Sequence, residues 1–309
     1  MTDWINAIII EDDADNTPSV ISVSDNNINV EKVKKINKRK NGKKEEDKKE
    51  DKEEDKNEDK EEDKEEDKKE KDKEDKDKEE KKQNTCLLTK FYNSDIDIIE
   101  IGSDEAGRGP MFGRVYSGAV VLPKDDSFDH YKMKDSKKFT SKKSNKIQEV
   151  AEYIKANAIA WAVEYEDERV IDEINILQAT QSAMHKAIRN VMKQIKGLDT
   201  TKMLLLIDGN YFKPLTIVNK TTNRIENAKF ETIEGGDNKF TSIAAASILA
   251  KVERDKYIEA LCIENPELIE KYGIDSNKGY GAKRHMDGIR QYGITKWHRR
   301  TFGLCKEFA

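Results

Sequence analysis

Of the 53 residues from 31 to 83, 46 are charged, 22 basic and 24 acidic, and Val33 and Ile36 are the only apolar side chains among them. Fixing the backbone of one residue costs roughly 1–2 kcal/mol, and a segment with nothing to bury cannot offset that. Within residues 43–82 the pattern Glu-Glu-Asp-Lys recurs with a period near four. Wound into a helix, it would stack Lys52, Lys56, Lys60, Lys64 and Lys68 over one another and acid over acid, which is mildly repulsive. Aspartate is also a poor helix former. Disorder, or a fluctuating solvated helix, is the expectation for this leader. The basic block from Lys32 to Lys44 fits one stretch of a polyampholyte tail, with a nuclear-localisation-like or nucleic-acid-contacting patch as the alternative. The acidic part would repel nucleic acid.

Any fold must therefore come from the rest of the 309 residues. Of the chain's 57 basic and 62 acidic side chains, residues 1–30 hold six acids and no base. Residues 84–309 keep 35 basic and 32 acidic ones, so the net charge of −5 is a −8 leader on a mildly basic body. The expected division is a charged leader, 1–83, and one domain, 84–309, large enough to bury a substantial core. No apolar run approaches the ~20 residues that span a bilayer. Ile5 to Ile10 is followed by Glu11, Asp12 and Asp13 and does not read as a signal peptide. Cys86, Cys262 and Cys305 are odd in number and far apart, as expected of reduced thiols in an intracellular protein. The reading is of a monomer away from membranes, in the cytoplasm, with the nucleus as the alternative.

From Asp95 onward the texture is globular. Residues 96–103 form an apolar, β-branched run that reads as a buried strand. Residues 115–122, 158–165, 203–207 and 230–233 read as further strands. Helical spacing covers 141–155, 172–196 (possibly two helices) and 242–262, with helix and loop beyond. A mixed sheet flanked by helices follows.

Three places carry chemistry. Asp104 and Glu105 end the first strand, before Gly107 and Gly109. Adjacent strand residues face opposite sides, so both can serve one site only where the strand ends and the chain turns. Asp208 ends another apolar strand, the position where open α/β sheets bind ligands. Asp237 follows Gly235-Gly236 and precedes the helix near Ser242, with Glu234 as a competing carboxylate. Four converging carboxylates cannot all stay ionised without cations. Hard oxygen donors with no His or Cys cluster favour Mg²⁺ or Mn²⁺, and a pair of such ions suits phosphodiester hydrolysis.

Seven blocks, in order, carry a resemblance: GSDEAGRGPMFG from Gly102, DSKKFTSKK from Asp135, IDEINILQAT from Ile171, LLLIDGN from Leu204, SIAAASILAKVERD from Ser242, NKGYG from Asn277 and HRRTFG from His298. Together they resemble ribonuclease HII, over roughly residues 97–305. Ribonuclease HIII is similar in fold but typically has Lys where Arg108 stands, and a folded N-terminal domain. The resemblance implies a ribonuclease H-like α/β fold with a helical C-terminal part. It implies Asp104, Glu105, Asp208 and Asp237 as metal ligands. It also implies that Gly107, Arg108, Gly109 and Tyr280 read a substrate with RNA in it, an RNA–DNA hybrid or duplex DNA containing ribonucleotides. Glycines would let backbone amides approach the ribose 2′-OH that distinguishes RNA from DNA, and Tyr280 would pack against the next sugar.

Ser136, Lys137 and Lys138 in a loop, and Lys251 after the apolar run SIAAASILA, are candidates for phosphate contacts, with Lys283, Arg284, Arg299 and Arg300 adding charge nearby. His285 and His298 lack ligand spacing and read as packing or phosphate contacts. Asn175 and Gln178 read as helix-start and packing groups. The 29 positions between Asp208 and Asp237 exceed what is usual in bacterial members, and residues 215–229 read as an inserted hairpin. Two other functions compete: another nuclease or integrase on the same fold, which would not need Gly-Arg-Gly or Tyr280, and a non-enzymatic protein whose acidic leader engages basic partners.

Overall fold

The structure, a computed structural model, describes residues 88–133, 144–219 and 222–309, with backbone alone for 144 and 145. The leader, Cys86, Ser136, Lys137 and Lys138 lie outside the described residues.

A five-stranded mixed sheet organises the body, in the order β3-β2-β1-β4-β7. β1 is Ile99–Ala106, β2 Val115–Val121, β3 Ala160–Glu166, β4 Met203–Asp208 and β7 Phe230–Ile233. β1 runs antiparallel to β2 and parallel to β4. Two further strands, β5 (Thr216–Asn219) and β6 (Arg224–Asn227), form a separate hairpin where the insertion was expected. Its base is not loose: Leu215, Ile217 and Ala228 join the main core beside Phe212.

Helices cover both faces of the sheet. α1 is Ser144–Asn157 and α2 Glu168–Gln194. α2 is two helices merged across Asn175, which has φ 68°. The Asn175 side chain accepts from the amides of Leu177 and Gln178, so it caps the second helix, as its helix-start reading required. Met184, Ala187, Ile188 and Val191 of α2 pack on one face against Ile101, Leu205 and Ile207. α3, Thr241–Glu264, packs with α1 on the other face.

The approach of α3 is unusually close, and the sequence explains it. Its first three turns carry only small side chains and isoleucine or leucine. Opposite them lie Gly102 of β1 and Gly118 of β2, where an added Cβ would overlap the backbone of Ser242 and Ala246. Glycine on the sheet and alanine on the helix together set this spacing. Short helices α4 (Glu267–Tyr272), α5 (Ile274–Asn277) and α6 (Lys283–Tyr292) complete the C-terminal part. They bury Leu268, Tyr272, Ile274 and Ile289 against Ile258 and Leu261 of α3 and Phe112 of the loop after β1. Cys262 and Cys305 are buried free thiols. Among the described residues, no helix is long and apolar enough to cross a membrane.

Candidate active site

β1 extends three residues further than the apolar run suggested, and Asp104 and Glu105 lie inside it. The two sides of the strand end at different points. Pairing with β2 continues to Ala106, opposite Tyr116. Pairing with β4 stops at Ser103, opposite Ile207. On the β4 side the carboxylates therefore stand just past the last ladder pair, where the alternation argument needs them.

The same register sets Asp104 level with Asp208, the residue after Ile207. Both are even-phase residues facing α3, the side on which Gly102 meets Ser242. Ser247 of α3 hydrogen-bonds the Asp104 side chain. The Glu105 amide also donates to Asp104 Oδ1 at 2.6 Å. Asp104 is only 5% exposed. Burial, then the charges of Glu105 and Asp208, push its carboxyl well above the usual range, and the two hydrogen bonds offset only part of this.

Glu105 binds outward, its Oε1 3.0 Å from Arg108 Nη1. Asp208 accepts the Gly236 amide at 2.7 Å, which brings the turn Gly236–Asn238 to the same strand end. Asp237 in that turn is buried, and its Oδ1 accepts from the Asn238 side-chain Nδ2 at 2.9 Å. Glu234 is exposed.

Asp104, Glu105 and Asp208 line a cleft of about 440 Å³, which continues over Ser247, Lys251, Arg254 and Asp255 to Asn277, Lys278 and Tyr280. Asp237 is not part of that lining; its turn is tied to Asp208 through the Gly236 amide. The set is not a ready-made ligand cage. Among the described residues, no three His, Cys, Asp or Glu side chains stand together at metal-holding spacing. The donor chemistry nevertheless fits a hard divalent cation. Carboxylate oxygens dominate the strand ends, and Asp104 is crowded by two like charges that a cation would neutralise.

The facing wall is loop. Gly107 has φ +93°, which favours glycine, and a Cβ there would strike the Arg254 side chain. Arg108 and Gly109 are exposed, and a Cβ on Gly109 would lie 3.5 Å from the Tyr280 ring. Gly-Arg-Gly and Tyr280 are thus neighbours across the mouth of the cleft. Tyr280 is half-exposed, with the Arg254 guanidinium 5.9 Å from its ring centre.

Of the phosphate candidates, Lys251 lines the cleft, 3.1 Å from Asp255. Lys283 is exposed and pairs with Asp287 at 2.6 Å. Arg284 donates to the carbonyls of Ile269 and Glu270. Arg299 is a correction. It is fully buried, and its guanidinium donates to the carbonyls of Gly107, Arg108, Pro110 and Gly113. Burial pulls its pKa down to about 9. It holds the loop and cannot meet a phosphate. His285 and His298 are buried on each other, which leaves packing of their two readings.

Sequence reasoning missed Ser247, Arg254 and Asp255. Their signal was present: 247, 251, 254 and 255 share one face of α3, and Lys251 alone was read from it.

Comparison with known proteins shows the family. The family profile described as Ribonuclease HII matches residues 101–305. A protein of Parabacteroides distasonis named Ribonuclease HII is 44% identical over 209 residues, covering 68% of this chain and 92% of its own. One of that name from Pelagibacter ubique is 43% identical over 201 residues, covering 65% and 94%. Among solved structures, ribonuclease H2 from Pyrococcus horikoshii aligns with a TM-score of 0.51 and 24% identity over 68% of this chain and 97% of its own. That likeness speaks for the fold, a mixed sheet flanked by helices.

Proposed function

This chain belongs to the ribonuclease HII family of endoribonucleases, and from that premise we propose that it cuts the RNA strand of RNA–DNA hybrids and single ribonucleotides embedded in duplex DNA. The products would carry 3′-hydroxyl and 5′-phosphate ends. The observation that carries the reading is that the carboxylates Asp104, Glu105 and Asp208 line one cleft together with Gly107 and Tyr280.

In this reading Asp104, Glu105, Asp208 and Asp237 would hold divalent cations, Mg²⁺ or Mn²⁺. Two such ions, when bound, supply an activated water and a counter-charge for the leaving oxygen. The protein's own groups orient the substrate. Ser247 and the Glu105 amide fix the Asp104 carboxylate, and the Gly236 amide fixes Asp208. Glu105, which lines the cleft, would exchange Arg108 for a cation. The backbone of Gly107, Arg108 and Gly109 would meet the ribose 2′-OH, since no side chain at the two glycines keeps the chain away. Tyr280 would pack on the sugar that follows, where a second 2′-OH would collide. Lys251 faces the cleft where a phosphate would lie, and Ser136 and Lys137 are proposed for phosphate contacts from the sequence pattern.

One assay tests this: a duplex with a single ribonucleotide and a continuous hybrid, each with Mg²⁺, with Mn²⁺ and with EDTA. Cleavage of both with metal and of neither with EDTA is expected. No cut at the single ribonucleotide would sink the finer reading. The catalytic part is proposed to be residues 84–309. Deleting 1–83 should leave the melting transition and hybrid cleavage nearly unchanged, because most of that segment, residues 31–83, carries almost no apolar side chains to dock. A fall in Tm of several degrees would disprove this.

A further inference from the structure

The two substrate-reading elements, the Gly107–Pro110 loop and Tyr280, are far apart in sequence, yet one short segment holds the first directly and reaches the second through His285. Residues 297–299 run antiparallel to 111–113. The Gly113 amide donates to the Trp297 carbonyl at 2.9 Å, and the Arg299 amide to the Met111 carbonyl at 2.8 Å. Two adjacent side chains then leave this segment in different directions.

Arg299 goes to the loop. Its Nη2 reaches the Gly107 carbonyl at 2.6 Å, Nη1 those of Arg108 and Pro110 at 3.0 and 2.8 Å, and Nε that of Gly113 at 2.8 Å. A planar fork with five N–H donors can span four carbonyls, and a lysine cannot.

His298 goes to Tyr280 through His285. The Thr295 amide donates to His298 Nδ1 at 2.9 Å, so that nitrogen carries no proton. His298 Nε2 lies 3.1 Å from His285 Nε2. His285 Nδ1 lies 2.9 Å from the Tyr280 carbonyl, which can only accept. One assignment satisfies every contact. His298 is protonated on Nε2 and donates to His285, and His285 is protonated on Nδ1 and donates to Tyr280. Both rings are neutral, in keeping with burial and mutual repulsion, which lower the His298 pKa to about 3. Phe112 packs edge-on against His298, ring centres 5.0 Å apart, and a Cβ on Gly279 would lie 2.8 Å from that of Phe112. The Asp172 carboxylate fixes the next two residues, accepting from the amides of Arg300 and Thr301 and from the Thr301 hydroxyl.

We propose that His298 and Arg299 are positioning residues that set the distance between the Gly107–Pro110 loop and Tyr280, so that recognition of the ribonucleotide and of the sugar after it work as one unit. The inference rests on the reading of Gly-Arg-Gly and Tyr280 given above. It adds that discrimination depends on side chains that never touch the substrate. Misplacing a contact group by ~1 Å can cost ~100-fold, so the spacing is where the effect should be read.

The test uses the full chain and the ratio of kcat/KM on a single-ribonucleotide duplex to that on a continuous hybrid, measured well below each variant's Tm. Arg299→Lys and His298→Leu should each lower the ratio by about tenfold. His298→Gln, whose amide can still donate to His285, should stay within about twofold. In a Tyr280→Ala background His298→Leu should add no more than about twofold, because it acts through Tyr280. A folded His298→Leu with an unchanged ratio, beside a Tyr280→Ala whose ratio has shifted, would overturn the inference and leave the function reading standing. An unchanged ratio in Tyr280→Ala itself would remove both. Should His298→Leu not fold, nitrogen-15 spectra of the wild-type histidines decide. Neutral His298 with Nε2–H and neutral His285 with Nδ1–H are expected, and the reversed tautomers or a charged ring at neutral pH overturn the relay.

Discussion

Asp104 and Asp208 are aligned by the ladder between β1 and β4, which ends at Ser103 and Ile207. Gly107, Arg108 and Gly109, across the same cleft, belong to no ladder, and the carbonyls of the first two are held by the buried guanidinium of Arg299. One wall is regular backbone carrying reactive side chains. The other is irregular backbone, presented directly and fixed by buried side chains. The difference suits the tasks proposed for them: carboxylates that share cations would need a common register, whereas a backbone that is to approach a sugar would have to be free of sheet neighbours. Substitutions should therefore hurt the first wall through the side chain itself and the second through whatever holds or crowds the backbone.

The largest effect should come from the carboxylate wall. Asp104→Asn or Asp208→Asn should reduce cleavage by at least about 1000-fold, equivalent to ~4 kcal/mol of lost transition-state stabilisation, with the fold intact. For Asp104 the effect on stability has the opposite sign. Its folded pKa is raised, so the stability tied to this group is full below the ordinary carboxylate range and is lost as pH rises through the raised value. Asparagine removes that loss, and the Tm of Asp104→Asn in EDTA at neutral pH should equal or exceed that of wild type. Near-normal turnover in either variant would break the comparison at its first term.

A pair of glycine substitutions separates the walls next. At Gly118 a Cβ would overlap the Ala246 carbonyl of α3, so Gly118→Ala must push the helix off the sheet, at a cost of about 1–3 kcal/mol in stability. At Gly109 a Cβ would only touch the Tyr280 ring at 3.5 Å, an ordinary contact. Gly109→Ala should melt within a degree or two of wild type and still lose most cleavage, because in the proposed reading the methyl would stand where the sugar approaches. Calorimetry and hybrid cleavage on the same two proteins give the answer. A strongly destabilised Gly109→Ala, or a fully active one, would mean that this loop is structural.

The first wall was also the legible one. Carboxylates following apolar runs that stop at glycine are visible in sequence, and the strand alternation rule says when two neighbours can share a site. What stayed hidden was that β1 continues to Ala106 on one side only, because pairing with β2 depends on partners from Tyr116 to Gly118 and not on the strand's own hydrophobicity. The second wall was legible only through resemblance. His298-Arg299-Arg300 reads as a basic patch, and its chemistry inverts on folding: Arg299 is fully buried on carbonyls while its neighbour Arg300 is exposed. Charge in a sequence defaults to solvent, and the carbonyls that overturn the default for Arg299 are almost 190 residues upstream. The insertion at 215–229 was read correctly as a hairpin, but its buried Leu215 and Ile217 show that it is part of the core as well as an addition to it.

Tyr280 lies on the second wall but acts through a side chain, so it tests whether that wall is backbone alone. Tyr280→Ala removes an aromatic platform worth ~1–3 kcal/mol by analogy with base stacking, roughly a tenfold to hundredfold loss. The loss should be larger on a single embedded ribonucleotide than on a continuous hybrid, where the enzyme can try many positions. Equal losses on the two would mean that Tyr280 serves general binding and does not read the junction.

The smallest effect is expected at Arg108, although it sits between the two glycines. Its side chain is half-exposed and its one described partner is Glu105, at 3.0 Å. Exposed ion pairs of this kind contribute about 0–1 kcal/mol. Its carbonyl, not its guanidinium, is what Arg299 holds, and alanine leaves that carbonyl in place. Arg108→Ala should therefore keep kcat/KM within about fivefold on both substrates, matching the ~1 kcal/mol limit of such a pair. It should also shift the metal titration. Arg108→Ala removes one cation that competes with a metal for Glu105, and half-maximal cleavage should need less Mg²⁺ than in wild type. A hundredfold loss confined to the single ribonucleotide would show that the guanidinium itself reads the substrate, and the second wall could then no longer be described as presented backbone.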